Sequence, residues 1–388
     1  MPMRVLMAST SYPRDAHDWR GIFLRHLVHA LAGEADVSLS LWAPPGEVPA
    51  SVRTATTPVE AAWLARLMAE GGISHLLRQP RPSRLFAPII LLRRLAAAWR
   101  RHADVDLRHA CWLQTALPMP RDATPLVVSV LGNDLALLRL PLMRAVMRRA
   151  LRGRRVALCP NAHWMEKPLR EAFGDLASIE TVPFGIDPRW YAIERHPDSA
   201  TPRWLAVTRL TRAKLGPLFE WLAPHFTDGK RRLDLIGPMQ EAIDLPDWVN
   251  HHGEATAEEL AGRWFPSATA LITLSRHAEG RPQVLLEAMA AGLPILASAL
   301  PAHADLITDG VDGLLCDSPA SCAEAMFRLE EAATNRRIGD AARRRVREQT
   351  GTWNDCARRY IRVYRGLLDP ASAEAPSTNA RDDQAGTA

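Results

Sequence analysis

Short apolar runs alternate with helical patterns along this chain, and the whole alternation occurs twice. Strands that alternate with helices form parallel sheets covered by helices. The sequence therefore predicts an α/β protein of two Rossmann-like domains, joined near residues 183–195, with a ligand in the cleft at the carboxyl ends of the strands. The predicted strands are 3–8, 37–41, 107–111, 125–131, 156–159, 179–183, 203–207, 232–236, 249–252, 268–273, 293–297 and 313–316.

Helical patterns fill the intervals between these strands. They cover 21–32, 137–150 and 162–173, and the region 57–102 is mostly helical with breaks at Pro80, Pro82 and Pro88. Thr256 and Glu259 form a capping box, which marks a helix start. The spacing of Trp353, Ala357, Tyr360, Ile361 and Tyr364 predicts an amphipathic final helix. These patterns divide the chain into domains at 1–185 and 186–351, a helix at 352–369 and a disordered tail at 370–388.

Composition excludes several classes of protein. The 388 residues are 47% apolar and 23% charged, as in ordinary globular proteins, and no apolar run has the length of a signal peptide core or a spanning helix. Five cysteines without a C-x-x-C pair argue against a disulfide framework or a zinc site and favour a reducing cytoplasm. The net charge of +5 is modest, and the sequence has no dense stripe of basic residues of the kind that binds nucleic acid.

The stretch from Leu271 to Pro319 carries the most information about function. A buried strand leads through a loop to Pro282 at the start of a helix, whose free N–H groups would bind a diphosphate. Glu279 lies in the loop, and Glu287 lies on the helix, on the same face as Gln283. This face either meets water or lines a cleft, where a carboxylate would accept hydrogen bonds from sugar hydroxyls.

Residues 279–298 resemble the E-x7-E signature of the retaining glycosyltransferase family 4, and 309–315 are similar to the segment that follows it. The resemblance extends to the first strand, to 182–187 and to 352–354, and so covers most of the chain. It implies the GT-B fold, with a donor-binding C-terminal domain, an acceptor-binding N-terminal domain and a last helix that returns to the latter. By position, Glu279 contacts the transferred sugar and Glu287 the donor ribose, and the adjacent donor-binding residues are Gly280, Arg281, Pro282 and Gln283.

A second cluster follows the first strand of the C-terminal half. The resemblance implies that Arg209 and Lys214 clamp the donor diphosphate, where two cations replace a metal as the charge stabiliser. Only three of the 48 basic residues are lysines, which favours a functional Lys214, whereas Arg212 is interpreted as solvated. None of the segments that resemble the family contains an Asp-x-Asp metal motif, so we expect neither a metal nor another cofactor. The family's glycine after the lysine is Leu215 here, and Gly216 comes one residue later.

The N-terminal half matches the family less closely. Gly21 opens the first long helix and is a candidate for close approach to the donor. Gly132 and Asp134 match an H-G-x-D motif in which Leu131 replaces the histidine, so they are further donor-binding candidates. His109, at another strand end, either approaches the cleft in place of that histidine or lies in the core.

These observations predict a retaining transferase, with a UDP- or GDP-linked nucleotide-sugar donor and an acceptor hydroxyl on a glycan, a lipid-linked glycan or a small molecule. The family's habits suggest a bacterial polysaccharide pathway. The basic segments 78–101 and 139–155 are either solvated helix faces or a peripheral contact with an anionic membrane. A non-catalytic GT-B-like nucleotide-binding or partner protein is the alternative that Leu131 favours, and a GT-B epimerase is a more distant one.

Overall fold

The computed structural model describes residues 1–15, 18, 21–71, 86–197, 200–277 and 279–369, except for the side chain of Asn133. Within these ranges the chain forms two parallel sheets, of seven strands in the order β3-β2-β1-β4-β5-β6-β7 and of six in the order β10-β9-β8-β11-β12-β13. The predicted pair of Rossmann-like domains is therefore confirmed. The predictions for Pro80, Pro82 and the tail 370–388 lie outside the described residues.

The strands are short and lie mostly where the apolar runs predicted them. Their bounds are β1 Met3–Ala8, β2 Val37–Trp42, β3 Arg53–Thr54, β4 Leu107–Cys111, β5 Leu126–Val130, β6 Val156–Pro160, β7 Ser178–Ile179, β8 Arg203–Val207, β9 Arg232–Ile236, β10 Val249–His251, β11 Ala270–Thr273, β12 Ile295–Ser298 and β13 Leu314–Cys316.

Helices connect the strands and cover both faces of each sheet. Their bounds are α1 Ile22–Ala32, α2 Pro58–Ala69, α3 Ala87–Arg101, α4 Gly132–Leu137, α5 Met143–Leu151, α6 Glu166–Phe173, α7 Arg212–Leu215, α8 Leu218–Phe226, α9 Ala257–Glu259, α10 Phe265–Ser267, α11 Gln283–Ala290, α12 Pro301–Ala304, α13 Pro319–Glu330, α14 Ala332–Gln349 and α15 Trp353–Leu368. No described helix is long and apolar enough to cross a membrane.

Three local predictions were wrong. The single helix predicted at 137–150 is divided between α4 and α5, because Pro141 has no N–H to donate and Leu142 has a positive φ of 63°. Pro88 lies in the first turn of α3 and so starts a helix instead of breaking one. β7 covers Ser178–Ile179 and not the predicted 179–183, although the N–H group of Val182 still donates to the carbonyl oxygen of Pro160 at 2.9 Å.

The last helix returns to the N-terminal domain, as the resemblance implied. Thr352 forms an isolated bridge with Ile186 beside the linker, and α15 then packs against α1. The buried face of α15 joins the N-terminal core cluster with Trp353, Cys356, Ala357, Tyr360, Ile361, Val363, Tyr364 and Leu367. The N-terminal domain is therefore completed by the last element of the chain.

A buried polar network fastens α15 to the sheet. The Nδ1 atom of His109 lies 2.6 Å from the Tyr364 hydroxyl, and its Nε2 atom lies 2.7 Å from the hydroxyl of Ser129, which also meets Tyr360 at 2.6 Å. Burial lowers the pKa of His109 to about 3, so the ring is neutral. The hypothesis that His109 approaches the cleft is therefore wrong, and it is a core histidine.

Candidate active site

The carboxyl ends of the two sheets meet at a pair of glycines. Gly132 begins α4 directly after β5, and Gly280 lies in the loop after β11. A Cβ added to Gly132 would lie 2.3 Å from the nitrogen of Gly280, and one added to Gly280 would lie 2.6 Å from the nitrogen of Gly132. No side chain fits at either position. The two backbones therefore touch across the cleft, at the place where the sequence predicted a donor site.

Glu279 and Lys214 meet beside this contact. They form an ion pair between the Glu279 Oε1 and Lys214 Nζ atoms, with only 16% and 15% of their side chains exposed. The N-cap Thr211 positions the lysine, because its side chain accepts a hydrogen bond from the Lys214 N–H at 3.2 Å. The structure thus brings together a carboxylate and an ammonium that the sequence assigned to the sugar and to the diphosphate.

The departure from the family after Lys214 has a steric explanation. Leu215 is buried in the core of the C-terminal domain. Gly216 has a positive φ of 56°, and a Cβ there would lie 2.0 Å from the carbonyl oxygen of Leu274. The glycine that this loop requires has therefore moved by one residue, while the lysine keeps its place at the cleft.

Of the two neighbouring arginines, Arg209 is the one at the strand end. It lies exposed in the loop that follows β8, and Lys214 lies at the other end of the same loop in α7. Arg212 is on the outer surface, where its N–H donates to Glu241 at 2.8 Å and its guanidinium to the Ala242 carbonyl at 3.3 Å. This arrangement agrees with the interpretation of Arg212 as a solvated residue.

Helix α11 begins after Pro282 and packs its apolar face into the core with Leu285, Leu286, Ala288 and Met289. Its first residue, Gln283, donates from Nε2 to the carbonyl oxygen of Gly185 at 3.0 Å. The predicted shared face of Gln283 and Glu287 is thus directed toward the linker. The side chain of Gln283 therefore binds the linker, a contact that the prediction of Gln283 as a donor-binding residue did not include.

Glu287 is half-buried on this face, and no group in the described part of the chain donates a hydrogen bond to its carboxylate. Burial, and secondarily the charge of Asp187, raise the pKa of Glu287 to about 8, against the opposing effect of Arg189. A desolvated acceptor without a donor is costly in a folded protein. A carboxyl group in this environment is suited to form hydrogen bonds with the hydroxyl groups of a ligand.

Arg281 contributes to a contact between the domains. Its guanidinium donates to Asp305 at 3.4 Å and to the Thr350 hydroxyl at 3.1 Å, and burial lowers its pKa to about 10. Asp305 in turn accepts the N–H groups of His163 at 3.3 Å and Trp164 at 2.9 Å. The Trp164 indole donates to the carbonyl oxygen of Gly280 at 2.8 Å. Arg281, predicted to bind the donor, is engaged here instead.

Sequence reasoning missed the other members of this contact. Trp164 and Asp305 stand 141 positions apart, and neither belongs to a local motif. The buried Oδ1 atom of Asn161 has no hydrogen-bond partner among the described residues, and it lies 3.2 Å from the position of a Cβ on Gly280. Only the apposition of the domains makes these residues neighbours.

Two further candidates have structural roles in the N-terminal domain. Gly21 has a positive φ of 78°, and a Cβ there would lie 2.8 Å from the Ser11 hydroxyl, so the turn before α1 requires glycine. Asp134 is 1% exposed, and burial raises its pKa to about 7. Its carboxylate accepts the N–H groups of Leu131 at 2.8 Å and Leu113 at 3.1 Å. It holds two loops at the cleft, although it was predicted to bind the donor.

Leu131 occupies the position of the family histidine. It is the N-cap residue of α4, and its half-buried side chain packs against the N-terminal core cluster. An apolar side chain thus lies one residue before the Gly132 contact. The described residues contain no group of three or more His, Cys, Asp or Glu side chains placed to hold a metal ion.

Comparisons with known proteins agree with this geometry. Residues 203–331 match the family model of glycosyl transferases group 1. A D-inositol 3-phosphate glycosyltransferase of Frankia alni is 33% identical over 148 residues, which are 37% of this chain and 35% of that protein. The chain thus spans about a third of the length of that relative.

Solved structures extend the comparison to 94% of the chain. Sucrose-phosphate synthase from Thermosynechococcus elongatus has a TM-score of 0.69 at 18% identity, covering 94% of this chain and 99% of that one. The Anabaena protein HepE in complex with UDP-glucose has a TM-score of 0.64 at 16% identity, covering 94% of this chain and 100% of that one.

The fold and the facing strand ends therefore define a protein of the GT-B class. Within that class, residues 203–331 are similar to the glycosyl transferases group 1 family. The fold that the E-x7-E resemblance implied is confirmed.

Proposed function

We propose that this protein is a retaining glycosyltransferase that moves a sugar from a nucleotide-sugar donor to an acceptor hydroxyl. The observation that carries the proposal is the pair of features at the closed cleft. One is the Glu279–Lys214 ion pair, and the other is the half-buried Glu287 carboxyl group, to which no described residue donates a hydrogen bond. Lys214 and Arg209 would hold the diphosphate, Glu279 the transferred sugar and Glu287 the ribose hydroxyls. The names of the similar proteins support the same class of reaction.

The proposed chemistry needs no nucleophile from the protein. The bond between the sugar C1 atom and the phosphate oxygen breaks, and the acceptor oxygen bonds to C1 on the same face. The leaving phosphate takes the proton of the acceptor hydroxyl. Cationic side chains and the N-terminus of α11 stabilise the charge that develops on the phosphate, so that metal-independent transfer is part of the proposal.

The donor would be UDP- or GDP-linked, and the similarity to HepE, which was solved in complex with UDP-glucose, makes UDP the first nucleotide to test. The acceptor would be a glycan, a lipid-linked glycan or a small molecule of a bacterial polysaccharide pathway. The five cysteines are buried and free, which supports a cytoplasmic location. A lipid-linked acceptor would require peripheral contact with the inner face of the membrane.

Thermal stabilisation by nucleotides tests the proposal. The melting temperature is measured with UDP, GDP, UDP-glucose and GDP-mannose, each with and without EDTA. A ligand at about 100 times its dissociation constant adds about 2.7 kcal/mol to stability. We expect one nucleotide to stabilise the protein equally in EDTA. Failure of all four would contradict the donor site, and stabilisation that requires a divalent cation would contradict metal independence.

A further inference from the structure

We propose that the N-terminal domain carries a docking surface for an anionic lipid bilayer, formed by the exposed sides of α3 and α5 at their N-terminal ends. The described residues of this surface are exposed apolar side chains and nearby exposed arginines on each helix. They are Phe86, Ile89, Ile90 and Arg93 around α3, and Leu140, Leu142, Val146, Arg144 and Arg149 around α5. This inference does not depend on the proposed function, because a bilayer contact can be measured without donor or acceptor.

Exposed apolar side chains are concentrated on this surface. Eleven large apolar side chains are exposed in the described part of the chain, and six of them belong to these two helix ends. A patch of that kind on a single domain marks an interaction site. Leu142 is the extreme case, since it is 80% exposed and also has a positive φ of 63°. A leucine in that conformation is strained and loses its favourable burial, so folding alone does not explain it.

Both helices lie on the same face of the N-terminal sheet and begin at the same edge. Their inner sides share one core cluster, and both helices contact the 3-10 turn Leu113–Ala116. α5 packs against this turn, and the Trp99 indole of α3 donates a 3.2 Å hydrogen bond to the carbonyl oxygen of Thr115 in it. Helices that precede parallel strands start at the carboxyl edge of the sheet. α3 precedes β4 and α5 precedes β6, so the surface lies on the same edge as Gly132. A docked protein would hold its cleft near the bilayer.

The charges favour an anionic bilayer over an apolar protein groove. The sequence has no Asp or Glu between Glu70 and Asp104, or between Asp134 and Glu166. Arg93 follows Phe86 by seven residues, and Arg149 follows Leu142 by seven, so each helix has an apolar end and a basic continuation on one side. Apolar residues at the acyl boundary with arginines beside them are typical of peripheral membrane contact.

Co-sedimentation of the full chain with vesicles tests the proposal. We expect binding to vesicles of phosphatidylglycerol and phosphatidylcholine, and little binding to phosphatidylcholine alone. Binding should weaken when salt is raised from 0.1 to 1 M, as the Debye length falls from about 10 to about 3 Å. Equal binding to both vesicle types, or none to either, would overturn the proposal.

Variants locate the contact. Leu142→Asn with Val146→Ser should lower vesicle binding by at least about tenfold, as should Arg144→Glu with Arg149→Glu. The matched controls are Val311→Ser for an exposed apolar residue and Arg336→Glu with Arg344→Glu for exposed arginines, all in the C-terminal domain. Melting temperatures check that every variant folds.

Two outcomes of these variant measurements would contradict the bilayer-docking proposal. Controls that lose as much binding as the surface variants would mean that the charge of the whole molecule, not this surface, attracts the vesicles. A dimer of the wild-type chain in light scattering that dissociates in Leu142→Asn would assign the surface to a second copy of the protein. A monomer whose vesicle binding only the surface variants lose would support the bilayer.

Discussion

At the scale of single residues, the two glutamates of the E-x7-E segment are in different environments. Glu279 is paired with the Lys214 ammonium, whereas the carboxylate of Glu287 receives no hydrogen bond from the described residues. The difference follows from position: the first lies in a loop facing α7, and the second on a helix facing the linker.

Glu287→Ala should weaken nucleotide binding. The variant removes a carboxyl group that would bind two ribose hydroxyls, and each hydrogen bond contributes about 0.5–1.5 kcal/mol. Affinity for the stabilising nucleotide should fall by at least about tenfold in isothermal titration. Glu220→Ala, which removes an exposed carboxylate on α8, is the control and should bind normally. Equal affinities in the two variants would refute the ribose role.

The pKa of Glu287 also predicts a pH dependence of stability. A folded-state pKa of about 8, above the ordinary glutamate value of 4.5, means that the folded protein holds a proton that the unfolded chain has released. Stability should therefore fall as the pH rises from about 5 to about 8, by at most about 1.4 kcal/mol per pH unit. Glu287→Gln should lack this decline in urea titrations across that window. Parallel curves for variant and wild type would show that the carboxyl titrates normally.

The cations of the cleft should separate activity from stability. If Lys214 and Arg209 hold the leaving phosphate as proposed, Lys214→Ala and Arg209→Ala each remove one of its charge partners, which typically costs about 3–4 kcal/mol at the transition state. Turnover should drop by about a hundred- to thousand-fold with little change in melting temperature. Arg212→Ala is the control from the same loop, and its turnover should match the wild type. Near-normal rates in both test variants would mean that the diphosphate lies elsewhere.

At the scale of elements, one domain caps a helix of the other. The turn His163–Met165 and the following α6 have no cap from their own N-cap residue, Ala162. The carboxylate of Asp305, beside α12, accepts the first N–H groups instead. The N-terminus of a helix favours a carboxylate, so closure of the cleft completes the cap.

Asp305→Ala should therefore loosen the closed form. Loss of a capping carboxylate costs about 1 kcal/mol, and the buried Arg281 also loses its acidic partner while it keeps the hydrogen bond to Thr350. We expect a larger radius of gyration in solution X-ray scattering and a higher KM for the donor. The control Asp340→Ala, an exposed aspartate on α14, should leave both unchanged. A variant as compact as the wild type would show that the cap does not hold the domains together.

At the scale of the whole molecule, the chain crosses between the domains twice. It leaves the N-terminal domain near Gly185 and returns at Thr352. The two crossings touch, because a Cβ on Gly185 would lie 2.3 Å from the nitrogen of Trp353. The returning α15 supplies Tyr360 and Tyr364 to the network around His109. The integrity of the N-terminal domain thus depends on the last helix of the chain.

Tyr364→Phe tests this dependence. The variant keeps the ring but leaves the buried Nδ1 atom of His109 without its partner, which costs about 1–3 kcal/mol. The free energy of unfolding in urea should fall by that amount. Tyr191→Phe is the control, because the hydroxyl of the half-buried Tyr191 donates a longer hydrogen bond, of 3.4 Å, to the carbonyl oxygen of Gly351. A loss no larger than in the control would mean that water replaces the hydroxyl.

Much of the fold could be predicted from local patterns. Strands such as β1 and β8 are short apolar runs between polar loops, and the capping boxes at Thr256 and Thr352 mark helix starts within four residues. Side-chain periodicity and caps act over a turn or two, so the sequence contains them directly. The same holds for the spacing of Glu279 and Glu287, which determines that one lies in the loop and the other on the helix.

What the side chains touch was decided by the tertiary structure. Asp134 and His109 became structural because burial took both from water and gave each two partners. Arg281 and Gln283 lie within the E-x7-E segment. Arg281 contacts Asp305 of the interdomain contact, and Gln283 contacts the linker at Gly185. Desolvation and hydrogen bonding depend on groups that are distant in sequence and meet only when the sheets face each other. The sequence by itself determined the two sheets and the groups available at their edges; the apposition of the domains determined which of those groups face the cleft.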